Sequence, residues 1–374
     1  MRYLLLIAGM ACACLPAKAQ DGKVKKMYEA QEYETLTTGY GQHPEMLSAR
    51  SLYYVGMAYY LLEDDANCIK FMDKVIARDP KNARPHYIKG IVAFNQHQND
   101  TAITDFKTAI ALDSTVGEFY SELGDAYLEK QQPDLALDAF ERAARKMKTP
   151  EHAYMMMANI YMDRNQSEKA LEAYYNVKAN MTTVTPPVKR ALYNIGLLEM
   201  DFHRYDRSET AFKNLLLADP GDYEVYQKLV RVAYLQDNPD KAKNYKTKLY
   251  EAHNAGKLHG ALDDGFCIDV FDWNGREVQA AERYQQGPSR SFFNKVVFYV
   301  NNGDRAERTV QLEYSALSIQ QGGPMYVLCG NQGSTHYVYA TGFNEGYKYA
   351  DLKNAVLDIL NGMVQPVSST KLVE

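Results

Sequence analysis

The sequence predicts a mainly α chain: an α-solenoid of stacked helical hairpins, followed by a small α+β domain with an antiparallel sheet. Three observations carry this reading. Small residues recur every 34 positions, as Gly56, Gly90, Gly124 and Ala158, and self-similarity at such an interval marks a repeat array. Within each interval, apolar residues fall at spacings of 3, 4 and 7, which places them on one stripe of a helix. Past residue 264 that stripe gives way to short runs rich in Val, Phe and Tyr, broken by Asn274-Gly275, as strands joined by tight turns require.

Each repeat has the same internal order. Twelve residues after the first small residue comes another: Cys68, Ala102, Ala136, Ala170. Four further on stands a large one (Met72, Phe106, Phe140, Tyr174), and three beyond that an apolar one (Val75, Ala109, Ala143, Val177). After an insertion of four the register resumes with Gly196, Ser208, Phe212 and Leu215, and a last unit shows Val230, Ala242 and Leu249. Small residues at the crossing let two helices approach closely. One hairpin cannot bury its own face, so stacking creates the core. Cys68 occupies a small-residue position and reads as a buried hydrophobe, not a reactive thiol. Residues 22–48 form a worn first unit, with Tyr28, Tyr33 and Leu36 on a helix ended by His43-Pro44. The prolines at 186 and 187 predict a longer loop over residues 182–187, because proline disfavours helix at and before its position.

The spacing resembles the tetratricopeptide repeat, W-x2-L-G-x2-Y followed by A-x3-F-x2-A-x4-P. Tyr120, Leu123, Gly124, Tyr127, Ala136, Phe140 and Ala143 match it best, and Asp79-Pro80 and Asp219-Pro220 close their units as that pattern does. The resemblance covers residues 22–256, about six full units plus the worn one. No unit carries Trp at the first aromatic position, where Leu52, His86, Tyr120, Tyr154, Leu192 and Tyr226 stand. The resemblance implies that the first helix of each unit lines a concave surface and meets ligands through its fifth, ninth and twelfth residues. Carried over, these are Tyr53, Met57 and Tyr60, then Tyr87, Ile91 and Phe94, then Ser121, Asp125 and Leu128. Met155, Asn159 and Met162 follow, then Tyr193, Leu197 and Met200, and finally Gln227, Arg231 and Tyr234. Such a wall is aromatic and methionine-rich, suited to an extended peptide or a partner helix. Of the Lys/Asn carboxylate clamp found in chaperone-binding members, only Asn159 is present. Two readings stay open: a groove for a partner protein, or residues that pack between units and against the C-terminal domain.

In that domain, Cys267–Phe271 and Arg276–Ala281 flank the turn at Asn274-Gly275. A second hairpin pairs Phe293–Val300 with Arg308–Ile319 across residues 301–304. Pro324–Cys329 and Tyr337–Thr341 add two strands, and Leu352, Ala355, Val356, Ile359 and Leu360 predict a closing helix stopped by Gly362. Cys267 and Cys329 both fall in strands and could be bridged if their Cα atoms come within about 7 Å. Trp273, Tyr299, Tyr337 and Tyr339 alternate along strands and offer a second function class, stacking of sugar rings.

The N-terminus predicts export. Arg2, an apolar run to Leu15, and Ala17-Lys18-Ala19 have the order of a signal peptide cleaved after Ala19. The run is shorter than the roughly 20 residues a spanning helix needs. Cys12 and Cys14 do not follow lipobox residues, so soluble export is expected over a lipoprotein. The domains expected are therefore a signal peptide at 1–19, the solenoid at 20–256 and the α+β domain at 262–374. The charge of −5, with no dense Lys/Arg patch, argues against a nucleic-acid partner. No H-x-x-x-H or C-x-x-C motif offers a metal site, and no cofactor or enzymatic activity is expected. The sharpest catalytic pair, Cys329 and His336 with Asn331 or Asp351 as orienter, matches no known hydrolase spacing. The function expected is a scaffold in the periplasm or at the cell surface, holding a protein or peptide in a cell-envelope system. A glycan-binding C-terminal module is the alternative, with a Cys-dependent hydrolase last.

Overall fold

The computed structural model describes residues 17–147, 150–179, 184–284, 295–302, 305–344 and 346–372. Residues 1–16 of the expected export signal lie outside them, as do residues 293–294 and 303–304 of the second hairpin. The chain divides into two compact units, Met1–Thr182 and Thr183–Glu374. No helix of the described residues is long and apolar enough to cross a membrane.

Unit 1 consists of hairpins. α1 (Ala17–Glu29) pairs with α2 (Tyr33–Tyr40), α3 (Ala49–Leu61) with α4 (Asp65–Arg78), and α5 (Ala83–Asn95) with α6 (Asn99–Leu112). α7 (Gly117–Glu129) pairs with α8 (Pro133–Ala144), and α9 (Glu151–Asp163) with α10 (Ser167–Ala179). Polar caps start several of them: Ser48, Asp64 and Asn82 accept from the backbone N–H of Ser51, Asn67 and Arg84, which satisfies otherwise orphaned donors. Each hairpin turns on one residue in the left-handed region. These are Gln31, Glu63, His97, Gln131 and Asn165, with φ of 56–60°. The following N–H then reaches back to the first helix, as Gln132 N does to Tyr127 O at 2.9 Å, closing the helix C-terminus. The worn first unit differs from expectation: Tyr28 lies on α1, while Tyr33 and Leu36 lie on α2.

The interval of 34 has a steric cause. A Cβ placed on Gly90 or Gly124 would stand 2.5 Å from the ring of Phe106 or Phe140, and one on Gly56 would stand 2.7 Å from the Met72 methyl. Those rings are fully buried, so the glycine on one helix is the space into which the large residue of the next is packed.

Unit 2 begins with α11 (Pro186–Asp201) and α12 (Tyr205–Ala218), then α13 (Tyr223–Leu235) and α14 (Pro239–Asn254). Residues 182–183 of the loop expected before the two prolines lie outside the described residues, and the prolines themselves, expected in that loop, stand in helix. Pro186 and Pro187 form the first turn of α11, where a missing N–H costs nothing. Ser208 replaces the usual small apolar residue, and its buried hydroxyl donates to Gly196 O at 2.6 Å. A short helix α15 (Ala261–Asp264) leads into a seven-stranded antiparallel meander in sequential order. Its strands are β1 (Gly265–Trp273), β2 (Arg276–Arg283), β3 (Lys295–Asn302), β4 (Arg305–Tyr314), β5 (Tyr326–Gln332), β6 (Thr335–Phe343) and β7 (Pro366–Lys371).

Two elements differ from the sequence reading. The run expected to continue as strand to Ile319 stops at Tyr314. Ser315 then caps a short helix, α16 (Ala316–Gln320), by accepting from Ser318 N. After α17 (Tyr349–Leu360) the chain does not end in helix but returns as β7, paired with β6. The disulfide is corrected as well. Cys267 on β1 and Cys329 on β5 have three strands between them, about 19 Å at the usual inter-strand spacing, and both are free thiols.

One face of the sheet carries Val278, Ala280, Phe298, Val310 and Leu328. It shares a single core with Leu352, Val356 and Ile359 of α17 and with Val230, Ala233, Tyr234, Ala242 and Leu249 of α13 and α14. The last repeat and the sheet are therefore folded together.

Candidate partner-binding groove

In unit 1 most of the fifth, ninth and twelfth residues of the first helices stay partly exposed, Ser121 and Met155 excepted. Tyr53, Met57 and Tyr60 on α3 and Tyr87 and Ile91 on α5 are half-buried and pack around Met72, Ile88 and Val92. Tyr87 lies 4.8 Å from Phe119 and 6.0 Å from Phe106, centroid to centroid. Phe94 and Leu128 pack on the next cluster along. These side chains pack on neighbouring repeats and stay partly exposed to solvent. Where α3, α5 and α7 begin, a cavity of about 520 Å³ opens, lined by Tyr53, Lys81, Arg84, Tyr87, Glu118 and Phe119, among others. Burial raises the Tyr53 phenol pKa, with Arg84 opposing it. Burial and the nearby Glu122 and Glu118 raise that of Tyr87.

The middle of this wall is acidic. Asp125 holds His152 Nε2 with both carboxylate oxygens, at 2.8 and 2.9 Å. That bond raises the His152 pKa despite burial, with the Asp125 and Glu122 charges adding to it. The Glu122 carboxyl is raised by burial and then by Asp125. Farther along, Asn159 Oδ1 accepts from Tyr174 OH at 3.4 Å, Met162 is 39% exposed, and Met155 is only 4% exposed. Met155 thus belongs to the packing and not to the free surface. Sequence reasoning missed Arg84, Glu118, Glu122 and His152. Glu118 and Glu122 precede Asp125 by 7 and 3 residues on α7, so the helical stripe running through Asp125 passes through them too.

Unit 2 treats the equivalent positions differently. On α11, Tyr193 meets Phe212 edge-on at 6.0 Å, Leu197 is half-buried and Met200 is buried. On α13 all three positions are occupied by the chain itself. Gln227 Nε2 donates to Cys267 O at 3.3 Å, and Arg231 pairs with Asp269 at 3.6 Å. Tyr234 OH donates to Glu282 Oε2 at 3.2 Å and accepts from Lys246 at 2.8 Å. Asp269 also accepts from Tyr349 OH at 3.1 Å and Lys353 Nζ at 2.8 Å. Arg231, expected in the groove, is therefore committed to a β1 carboxylate.

Among the candidates for other chemistry, Cys329, Asn331 and His336 share one face of the sheet. His336 Nδ1 meets Asn331 Oδ1 at 2.7 Å, while Cys329 is 2% exposed and its thiol faces Gln311 O. Trp273 and Tyr337 pack on the core and Tyr339 lies within it. Tyr299 points from the opposite face and accepts from Arg283, so these four rings form no common platform. No group of three or more potential metal ligands occurs among the described residues.

Family profiles described as tetratricopeptide repeat match residues 50–82, 87–147 and 121–182. Residues 50–182 are tetratricopeptide repeats. No curated protein matches the chain. Solved structures similar to it include MamA, at 26% identity over 43% of this chain and 92% of that one, with a TM-score of 0.37. The C-terminal part of a TPR repeat-containing protein from Cytophaga hutchinsonii is 19% identical over 55% and 80% of the two chains, with a TM-score of 0.43. Pseudomonas aeruginosa PilF is 14% identical over 55% and 92%, with a TM-score of 0.41. The tetratricopeptide repeats of unit 1 keep a half-exposed inner wall, whereas α13 has its inner positions covered by β1 and β2.

Proposed function

We propose that this protein is an exported scaffold that holds a partner protein or peptide against the inner wall of its unit 1 repeats, within a cell-envelope system. The supporting observation is the wall itself. Tyr53, Met57, Tyr60, Tyr87 and Ile91 remain half-buried beside a cavity of about 520 Å³, a density of solvent-facing aromatic and thioether surface that suits recognition. The order of residues 1–19 supports export, with Gln20 as the first residue of the mature chain. The solenoid at 20–256 and the α+β domain at 262–374 then share the work, recognition in the repeats and closure of the last repeat by the sheet.

Affinity capture from envelope fractions tests this, comparing the full chain with the double variant Tyr53→Ala/Tyr87→Ala after circular dichroism has shown equal helicity. Partners held by the natural chain should fall away at least about tenfold, because aromatic anchors carry most of such interfaces. Equal retention by the variant sinks the groove. N-terminal sequencing of the exported chain should begin at Gln20.

A further inference from the structure

The wall of unit 1 is not uniform along its length, and its pattern specifies a partner. Two apolar stretches, one on α3 and α5 and one at Met156 and Met162 of α9, flank an acidic band on α7. That band consists of Glu118, Glu122 and Asp125, one to two helical turns apart on a single stripe. We propose that unit 1 binds an extended partner segment carrying one lysine or arginine flanked on both sides by apolar residues. This rests on the groove reading above and names the chemistry of its occupant.

Charge complementarity selects that occupant. Among the described residues Asp125 is met only by His152, whose side chain is half exposed and which carries a full charge only when protonated. No lysine or arginine of the described residues pairs with Glu122, which is half-buried and lies about one helical turn before Asp125 on α7. A carboxylate so placed has lost part of its hydration and has gained no fixed cation. A cationic head entering beside it restores the lost interaction. The flanking side chains of the partner then cover Tyr53 and Met57 on one side and Met156 and Met162 on the other. The cavity beside Arg84 and Lys81 takes the neighbouring apolar anchor, with Tyr53, Tyr87 and Phe119 as its walls. An acidic segment, the opposite choice, would bring its charge against α7 and pay for the repulsion.

A display library of random twelve-residue peptides panned on the full chain decides the matter. Enriched sequences should carry Lys or Arg within three residues of Leu, Ile, Met, Phe or Tyr on both sides. The best synthetic peptide should bind about tenfold more weakly to Glu122→Gln/Asp125→Asn, and its affinity should fall with added salt. The Tyr53→Ala/Tyr87→Ala variant separates the two ideas. Enriched peptides that are neutral or acidic, yet are lost on that variant, overturn the charge assignment and leave the groove standing. Peptides of any chemistry that bind the variant undiminished overturn the groove itself. No enrichment over an unrelated helical protein overturns both.

Discussion

Asp269 offers the sharpest test of how the last repeat is held. Its carboxylate is 3% exposed and serves Lys353, Tyr349 and Arg231, while Oδ1 also accepts from Val270 N at 2.9 Å. Alanine at this position removes the acceptor those three groups share and leaves two cations without their common carboxylate. Breaking a buried pair from one side costs about 3–5 kcal/mol. Lys353 and Arg231 keep 28% and 23% of their side-chain exposure, so water relieves part of this, and a loss of about 3 kcal/mol is expected. Trp273, the single tryptophan of the chain, reports on it from the end of β1, where its indole donates to Asn361 Oδ1 at 2.9 Å. In urea titrations followed by its fluorescence, Asp269→Ala should lower the midpoint without changing the slope. The double variant with Lys353→Met should lose less than the two single losses added together, because the stranded ammonium is gone. A loss under about 1 kcal/mol would mean that apolar contact alone fastens the sheet to α13.

Three further outcomes follow from the packing and charges. Burial pushes the Glu209 carboxyl up, but bonds from Lys213, Lys241, Tyr245 and Gln236 outweigh it and bring its pKa down from 4.5 to about 2. Its contribution is therefore complete above the unfolded value and drains away as pH falls from about 4.5 towards 2. Between pH 7 and 2.5 the natural chain should lose on the order of 2–3 kcal/mol more than Glu209→Gln, and parallel stability curves would refute this. Gly124→Ala should cost about 1 kcal/mol, overpacking against Phe140 exceeding the gain in helix propensity. Gly39→Ala on α2, where nothing lies within 4 Å, should be neutral or stabilising, and calorimetry that ranks the two the other way would reject the steric account. Ending the chain at residue 260 uncovers Val230, Ala233, Tyr234 and Leu249, so amides of α13 and α14 should lose most of their exchange protection; unchanged protection would show that the repeat stands without the sheet.

The hairpins were legible because sterics write them into the chain: a residue without a side chain must face Phe106 or Phe140, and that pairing repeats. The Asn274-Gly275 turn was legible for a similar reason, both residues having positive φ of 53° and 78°. Other elements left no such mark. Tyr28, Tyr33 and Leu36 fit one helix or two, and only the left-handed turn at Gln31 divides them. β7 is short, fully exposed and rich in Ser and Thr, so it shows no alternation of buried and exposed residues. In the site, counting from the family pattern found the aromatic wall but could not tell half-buried Tyr87 from buried Met155 and Met200. That distinction depends on how closely adjacent helices approach, which spacing does not encode.

The polar residues at inner-wall positions make the strongest argument about function. On α3 and α5 those positions carry Tyr, Met, Ile and Phe, which lose nothing by packing between repeats. On α13 they turn polar, as Gln227 and Arg231, and each has an evident reason: a strand carbonyl and a buried carboxylate stand opposite them. On α7 the wall turns polar again at Asp125, with Glu122 one turn before it on the same stripe, yet among the described residues of unit 1 only His152 answers, and only for Asp125 does it do so by a direct bond. The α13 case shows what such residues do in this chain when a covering element is supplied. By the same chemistry, the acidic band on α7 fits a covering element that brings a cation.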